Sequence, residues 1–166
     1  MNKIVALILV ALVGGGYYLT QLQPSSEPFQ LEEGYRSLFD GESLDGWRSV
    51  GGGASFSVDG DAIVGRNGPG KNTFLRTQKT YRDFSLRLQV RWEEKGNSGI
   101  QFRSAQRNDN GRVYGYQYEL DPSPRSWTGG IYDEARRGWL AKPDGIAEVR
   151  GVLRDDGWND VEIEAR

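Results

Sequence analysis

The chain has 166 residues, with 21 Lys plus Arg against 23 Asp plus Glu and a formal charge of −2. It contains neither cysteine nor histidine, which excludes disulfide staples, a Ser-His-Asp triad, a Cys-His pair and the usual zinc ligand sets. The basic residues alternate with acids instead of clustering, so no nucleic-acid partner is expected, and any catalytic acid or base must be a carboxylate, Lys, Tyr or Arg-assisted water.

Asn2 and Lys3 give a short polar start, and Ile4 to Val13 is an unbroken apolar run followed by Gly14, Gly15 and Gly16. That order of charge, short apolar stretch and small residues is the layout of a secretory signal. A membrane-spanning helix needs roughly 17–25 apolar residues, a length reached here only if the glycines and the following Tyr17, Tyr18 and Leu19 are counted. Residues 1–23 are therefore expected to be a signal peptide or a retained N-terminal anchor, with membrane contact only through them if they stay uncleaved. Either way the protein is expected to be exported, to the periplasm or cell envelope. Residues 24–33, with Pro24, Ser25, Ser26 and Pro28, read as a linker. Residues 34–166 read as one domain, long enough to bury a core without disulfides.

Turn signals dominate that domain. Asp-Gly occurs at Asp40, Asp45, Asp59, Asp144 and Asp156, and Asn-Gly at Asn67 and Asn110; both dipeptides suit tight hairpins. Phe56 to Val64 predicts a hairpin about Asp59-Gly60. The clearest strand runs from Phe84 to Trp92, where Phe84, Leu86, Leu88, Val90 and Trp92 alternate with Ser85, Arg87, Gln89 and Arg91. Ile100 to Ser104 sets Ile100 and Phe102 against Gln101 and Arg103. Tyr114 to Leu120 sets Tyr116, Tyr118 and Leu120 against Gln117 and Glu119. Trp127, Tyr132 and Trp139 fall in a glycine-punctuated, loop-like region, with room for a single helical turn over Asp133 to Trp139. Val161, Ile163 and Ala165 alternate at the end. The pattern is that of an all-β antiparallel sandwich.

Five landmarks in order resemble the 3-keto-disaccharide hydrolase domain family. They are Leu38-Phe39-Asp40-Gly41 with Leu44-Asp45-Gly46-Trp47; Tyr81-Arg82-Asp83-Phe84; Asn97-Ser98-Gly99-Ile100 with Gln101-Phe102-Arg103; Gly115 to Asp121 running on through Trp127 to Leu140; and Trp158-Asn159-Asp160. The resemblance implies a concanavalin A-like jelly-roll sandwich of two antiparallel sheets, one of them concave and able to hold a saccharide. It also implies cleavage of glycosides oxidised at carbon 3. Family members continue through further strands, whereas this sequence ends at Arg166, so missing C-terminal strands and an open sheet edge are expected, with edge pairing to another chain as one consequence.

A ketone at carbon 3 acidifies the carbon 2 proton, so the chemistry needs a base near carbon 2 and a positive or hydrogen-bonding group at the enolate oxygen. Strand parity and the resemblance together nominate Glu119 as base and Arg103 at the developing oxyanion. Gln101, Gln117 and Asp121 share their faces and are expected to bind hydroxyls. Trp127, Tyr132 and Trp139 offer flat rings for sugar at the groove rim, and Asp133 beside them is a further candidate contact. The competing reading makes Gln101, Arg103, Gln117, Glu119 and Asp121 solvent-facing residues of half-buried strands, and Trp139 a plug at the end of the sandwich. Trp47 is expected only to plug the sandwich. Asp133 and Glu134 could bind substrate or Ca²⁺, but no spaced ligand loop supports the ion and a solvated turn is the favoured reading, so no metal and no cofactor is expected. Glu119 and Asp121 also resemble the E-x-D-x-x-E strand of laminarinase-type glucanases, but Pro124 stands where the third acid belongs. A non-catalytic lectin-like module is the alternative from another functional class.

Overall fold

The computed structural model describes residues 2–10, 31–147, 152–154 and 156–166. Within them the chain forms strands and no α-helix. In chain order these are β1 (Asn2–Val10), β2 (Tyr35–Ser37), β3 (Trp47–Gly51), β4 (Ser55–Asp59), β5 (Ala62–Arg66) and β6 (Thr73–Thr77). Then come β7 (Phe84–Val90), β8 (Ser98–Gln106), β9 (Val113–Leu120), β10 (Ile131–Glu134), β11 (Gly138–Ala141) and β12 (Asn159–Ala165). One sheet has the order β12-β7-β1-β5-β4 with β2 branching from β1, a second has the order β11-β10-β9-β8, and β3 pairs with β6 alone. The fold is the all-β sandwich that the alternating pattern predicts.

Alternation decides which residues meet between the sheets. Phe84, Leu88, Val90 and Trp92 are buried with Val161, Ile163 and Ala165, and Leu120 joins them from the other sheet. Ile100, Phe102 and Tyr118 pack against this cluster, so Gln101, Gln117 and Glu119 are left on the opposite, outward face of β8 and β9. Trp47 is buried in the same core and donates its indole N–H to the Leu38 carbonyl at 3.0 Å, which is the plugging role expected of it. The β4–β5 hairpin turns where Asp59-Gly60 predicts it, and Gly60 takes a φ of 61° there, a value that glycine reaches without steric cost.

Three parts differ from the sequence reading. The Ile131–Ala141 region is a hairpin of β10 and β11, antiparallel to each other and to β9, where a loop and a helical turn were expected. Strands of four residues are too short for alternation to show, and Ala135 and Gly138, both at positive φ, close the connection. The apolar run near the N-terminus supplies β1, which lies parallel between β5 and β7, although every pairing was expected to be antiparallel. An unbroken apolar run suits a strand with neighbours on both edges. Residues 11–30, covering the rest of the leader-like segment and most of the expected linker, lie outside the described residues. Among the described residues no helix is long and apolar enough to cross a membrane.

The third difference is a break in β8. Its register with β9 shifts between Phe102 and Ala105, and Arg103 sits at a φ of 49°. Ser104 packs where β9 has Gly115: a Cβ on that glycine would lie 2.7 Å from the Ser104 Cα. Such a bulge places two residues against one and ends simple alternation.

Candidate active site

The outward face of β9–β11 floors a groove of about 1350 Å³. Gln117, Glu119 and Asp121 line it from β9 and its end, Tyr132 and Glu134 from β10, and Trp139 from β11. Register explains the assembly: Gln101, Gln117 and Tyr132 lie side by side across three strands. Gly99 stands opposite Glu119, and a Cβ there would come within 2.5 Å of the Gln117 side chain, so the glycine leaves room for the amide.

Glu119 is the centre of the polar cluster. Only 3% of it is exposed, and its oxygens accept from Asn97 Nδ2 at 2.6 Å, Gln117 Nε2 at 3.0 Å and Arg125 Nη2 at 3.3 Å. A carboxylate offers about four acceptor positions, so these three donors orient the group and leave one position for a further proton. Asp121, equally buried, accepts from Arg125 Nε at 2.7 Å and from the backbone N–H groups of Ser123 and Trp127. Burial pushes the Asp121 carboxyl up, but these donors outweigh it and hold it below the usual carboxylate range.

Arg125 joins the two acids. It lies in the Pro122–Gly130 return, which is stapled to the end of β9. Glu119 N–H donates to the Gly130 carbonyl, Gly129 N–H donates to the Glu119 carbonyl, and the Thr128 hydroxyl bridges the Asp121 N–H and C=O. The guanidinium carbon sits 4.4 Å from the Trp127 ring centre and 5.5 Å from that of Trp139. Two of its five N–H groups are spent on the carboxylates, and the side chain is 42% exposed at the groove wall. Its remaining N–H donors are therefore the ones a bound oxyanion could use.

The expected residues separate clearly. Gln117, Glu119, Asp121, Tyr132 and Trp139 come together in the groove. Gln101 lies behind Gln117, donating to it at 3.4 Å. Trp127 is not among the lining residues; it packs edge-on to Trp139 at 4.7 Å, carries Arg125 and Lys142 against its ring and donates its N–H to Asp144. Arg103, expected at the oxyanion, is also absent from the lining, and its guanidinium goes to Asp83 at 3.4 Å. The β8 bulge is the physical reason, because it turns Arg103 off the face that Gln101 shares. Asp133, expected to touch substrate, points to the other side of the sheet from its neighbour Tyr132. There it is wholly buried and binds Arg136 at 2.6 Å and Arg137 at 2.5 Å.

Asn97 and Arg125 were not singled out for the site by sequence reasoning, whereas Glu134, named there with Asp133 as a substrate or Ca²⁺ contact, does line the groove. Arg125 had a usable signal, standing four residues after Asp121 and six after Glu119. Among the described residues no group of three or more His, Cys, Asp or Glu is placed to hold a metal ion.

The walled groove of carboxylates, amides and aromatic rings on the outer sheet face has the acceptors, donors and flat rings that a saccharide needs. The 3-keto-alpha-glucoside-1,2-lyase-like domain family matches residues 34–166, and the chain belongs to that family. No curated protein matches it.

Proposed function

We propose that the domain cleaves 3-keto-glycosides by elimination followed by hydration, with Glu119 as the base. Glu119 takes the carbon 2 proton, and the C–H electrons form an enolate whose oxygen is the former ketone. Collapse of the enolate restores the ketone, forms a carbon 1–carbon 2 double bond and breaks the glycosidic bond, and the leaving oxygen picks up a proton. Water then adds at carbon 1 while a proton returns to carbon 2, so the net change is hydrolysis. Arg125 takes the electrostatic role first expected of Arg103, since its unspent N–H groups border the same space as the Glu119 carboxylate. Gln117, Tyr132 and Trp139 hold the ring.

The observation that carries this reading is the Glu119 carboxylate, buried at the floor of a sugar-sized groove and oriented by three side-chain donors that leave it one acceptor position. Double displacement is disfavoured because the second acid, Asp121, is tied to Arg125 and two backbone N–H groups. The setting we propose is the cell envelope, on the composition of the N-terminal run, which on this reading stays with the domain because Asn2–Val10 forms β1. Incubating the purified protein with a 3-keto-disaccharide in D₂O tests the mechanism: reducing sugar should appear with deuterium at carbon 2, and Glu119→Gln should stop both while retaining binding. Binding without turnover in the wild type would leave a lectin-like module instead.

A further inference from the structure

We propose that Glu134 forms a second sugar subsite, which reads the hydroxyls of the leaving group. This rests on the reading of Glu119 as the reacting end of the groove. Glu134 lies on β10 two residues from Tyr132, and Tyr132 stands opposite Gln117, which is two residues from Glu119. At about 3.3 Å per residue the two acids are separated by about 13 Å along the strands, more than one ring and within reach of two. The groove, at about 1350 Å³, is larger than the roughly 300–1,000 Å³ of ordinary small-ligand pockets. Both acids line it, with the Tyr132–Trp139 pair, ring centres 5.1 Å apart, along the wall between.

The chemistry of Glu134 also fits. Its side chain is only 12% exposed, yet no hydrogen bond to its carboxylate is present among the described residues; its one ion pair, to Arg112, is long at 3.7 Å. An enclosed carboxylate with unspent acceptor positions is costly unless something donates to it. Two neighbouring sugar hydroxyls supply two donors, matched to its two oxygens. Glu119 differs: three protein donors already serve it, as a reacting group held in place requires.

The test uses the Glu119→Gln protein, in which ligands persist, and calorimetric titration with a 3-keto-disaccharide and with the matching methyl 3-keto-glycoside. Adding Glu134→Ala should weaken the disaccharide at least about tenfold, the worth of one of the two charge-assisted hydrogen bonds it removes, and the methyl glycoside less than about twofold. Glu134→Gln, which keeps the shape and one acceptor, should fall between. Equal losses for both ligands, or none, would overturn the subsite. So would an Arg112→Ala variant that reproduces the Glu134→Ala loss, since the ion pair and not the sugar would then be at work. Normal wild-type turnover without the Glu134 difference removes the subsite alone. A Glu134-dependent difference in a protein without turnover keeps the subsite and removes the base.

Discussion

Replacing Arg125 by Ala should destabilise the protein and change how its stability depends on pH. The side chain makes one short and one longer charge-assisted hydrogen bond, to Asp121 and Glu119. Each is worth roughly 1.5–3 kcal/mol when desolvated. Because 42% of the side chain meets solvent, the sum is discounted by about half for screening, to roughly 1.5–3 kcal/mol. For a chain of this size that lowers Tm by roughly 3–12 °C. The sign with pH follows from Asp121, which burial raises but Ser123, Arg125 and Trp127 lower on balance. A carboxyl held low stabilises the fold above its unfolded value, about 3.9, and that contribution disappears as pH falls through the folded value. The difference between wild type and Arg125→Ala should therefore be full at pH 7 and shrink below about pH 4. Urea unfolding across that range measures it, with Arg125→Met as the partner variant that keeps the stem against Trp127 and Trp139. A difference equal at pH 3 and pH 7, or full stability in the Met variant at pH 7, would refute the electrostatic account and leave only packing.

Two further outcomes are expected. Gly115→Ala forces a Cβ into the Ser104 backbone at a φ of 147°; it should cost roughly 1–3 kcal/mol, seen as a lower denaturation midpoint, and an unchanged midpoint would contradict the bulge. Asp133→Asn should lower stability at neutral pH and little in acid, because burial raises that carboxyl but Arg137 and Arg136 hold it low. Its sugar affinity by calorimetry should match the wild type, and a clear loss would return Asp133 to the groove.

The parts legible in the sequence are those that obey a period of two. Phe84 to Val90 announces both its faces, and Gln117 with Glu119 is assigned to the outward face by the same rule that buries Tyr118 and Leu120. Each failure has a local break behind it. Arg103 is one residue into a bulge, where parity no longer transfers from Gln101. Asp133 belongs to a four-residue strand whose phase cannot be read until Tyr132 is known to face the groove. Arg125 stands in a return with Pro122 and Pro124, so no periodicity applies to it. Its role depends on backbone hydrogen bonds between Glu119, Gly129 and Gly130 that no window of sequence displays.

That distribution follows from how a sheet is built. Alternation can aim residues at a face, but neighbouring strands set a coarse grid of about 3.3 by 4.8 Å, and a proton transfer demands finer placement than that. The finer placement here comes from irregular elements at the end of β9. Asn97, just before β8, and Arg125, in the Pro122–Gly130 return, reach Glu119 from outside the grid, while Trp127 supports Arg125 from behind. The sheet supplies the carboxylate and the loops supply its orientation. Glu134 has only grid neighbours and a distant arginine, so it can adapt to a leaving group, whereas Glu119 is held for one geometry. A single groove can thus join a fixed reacting end to a tolerant binding end.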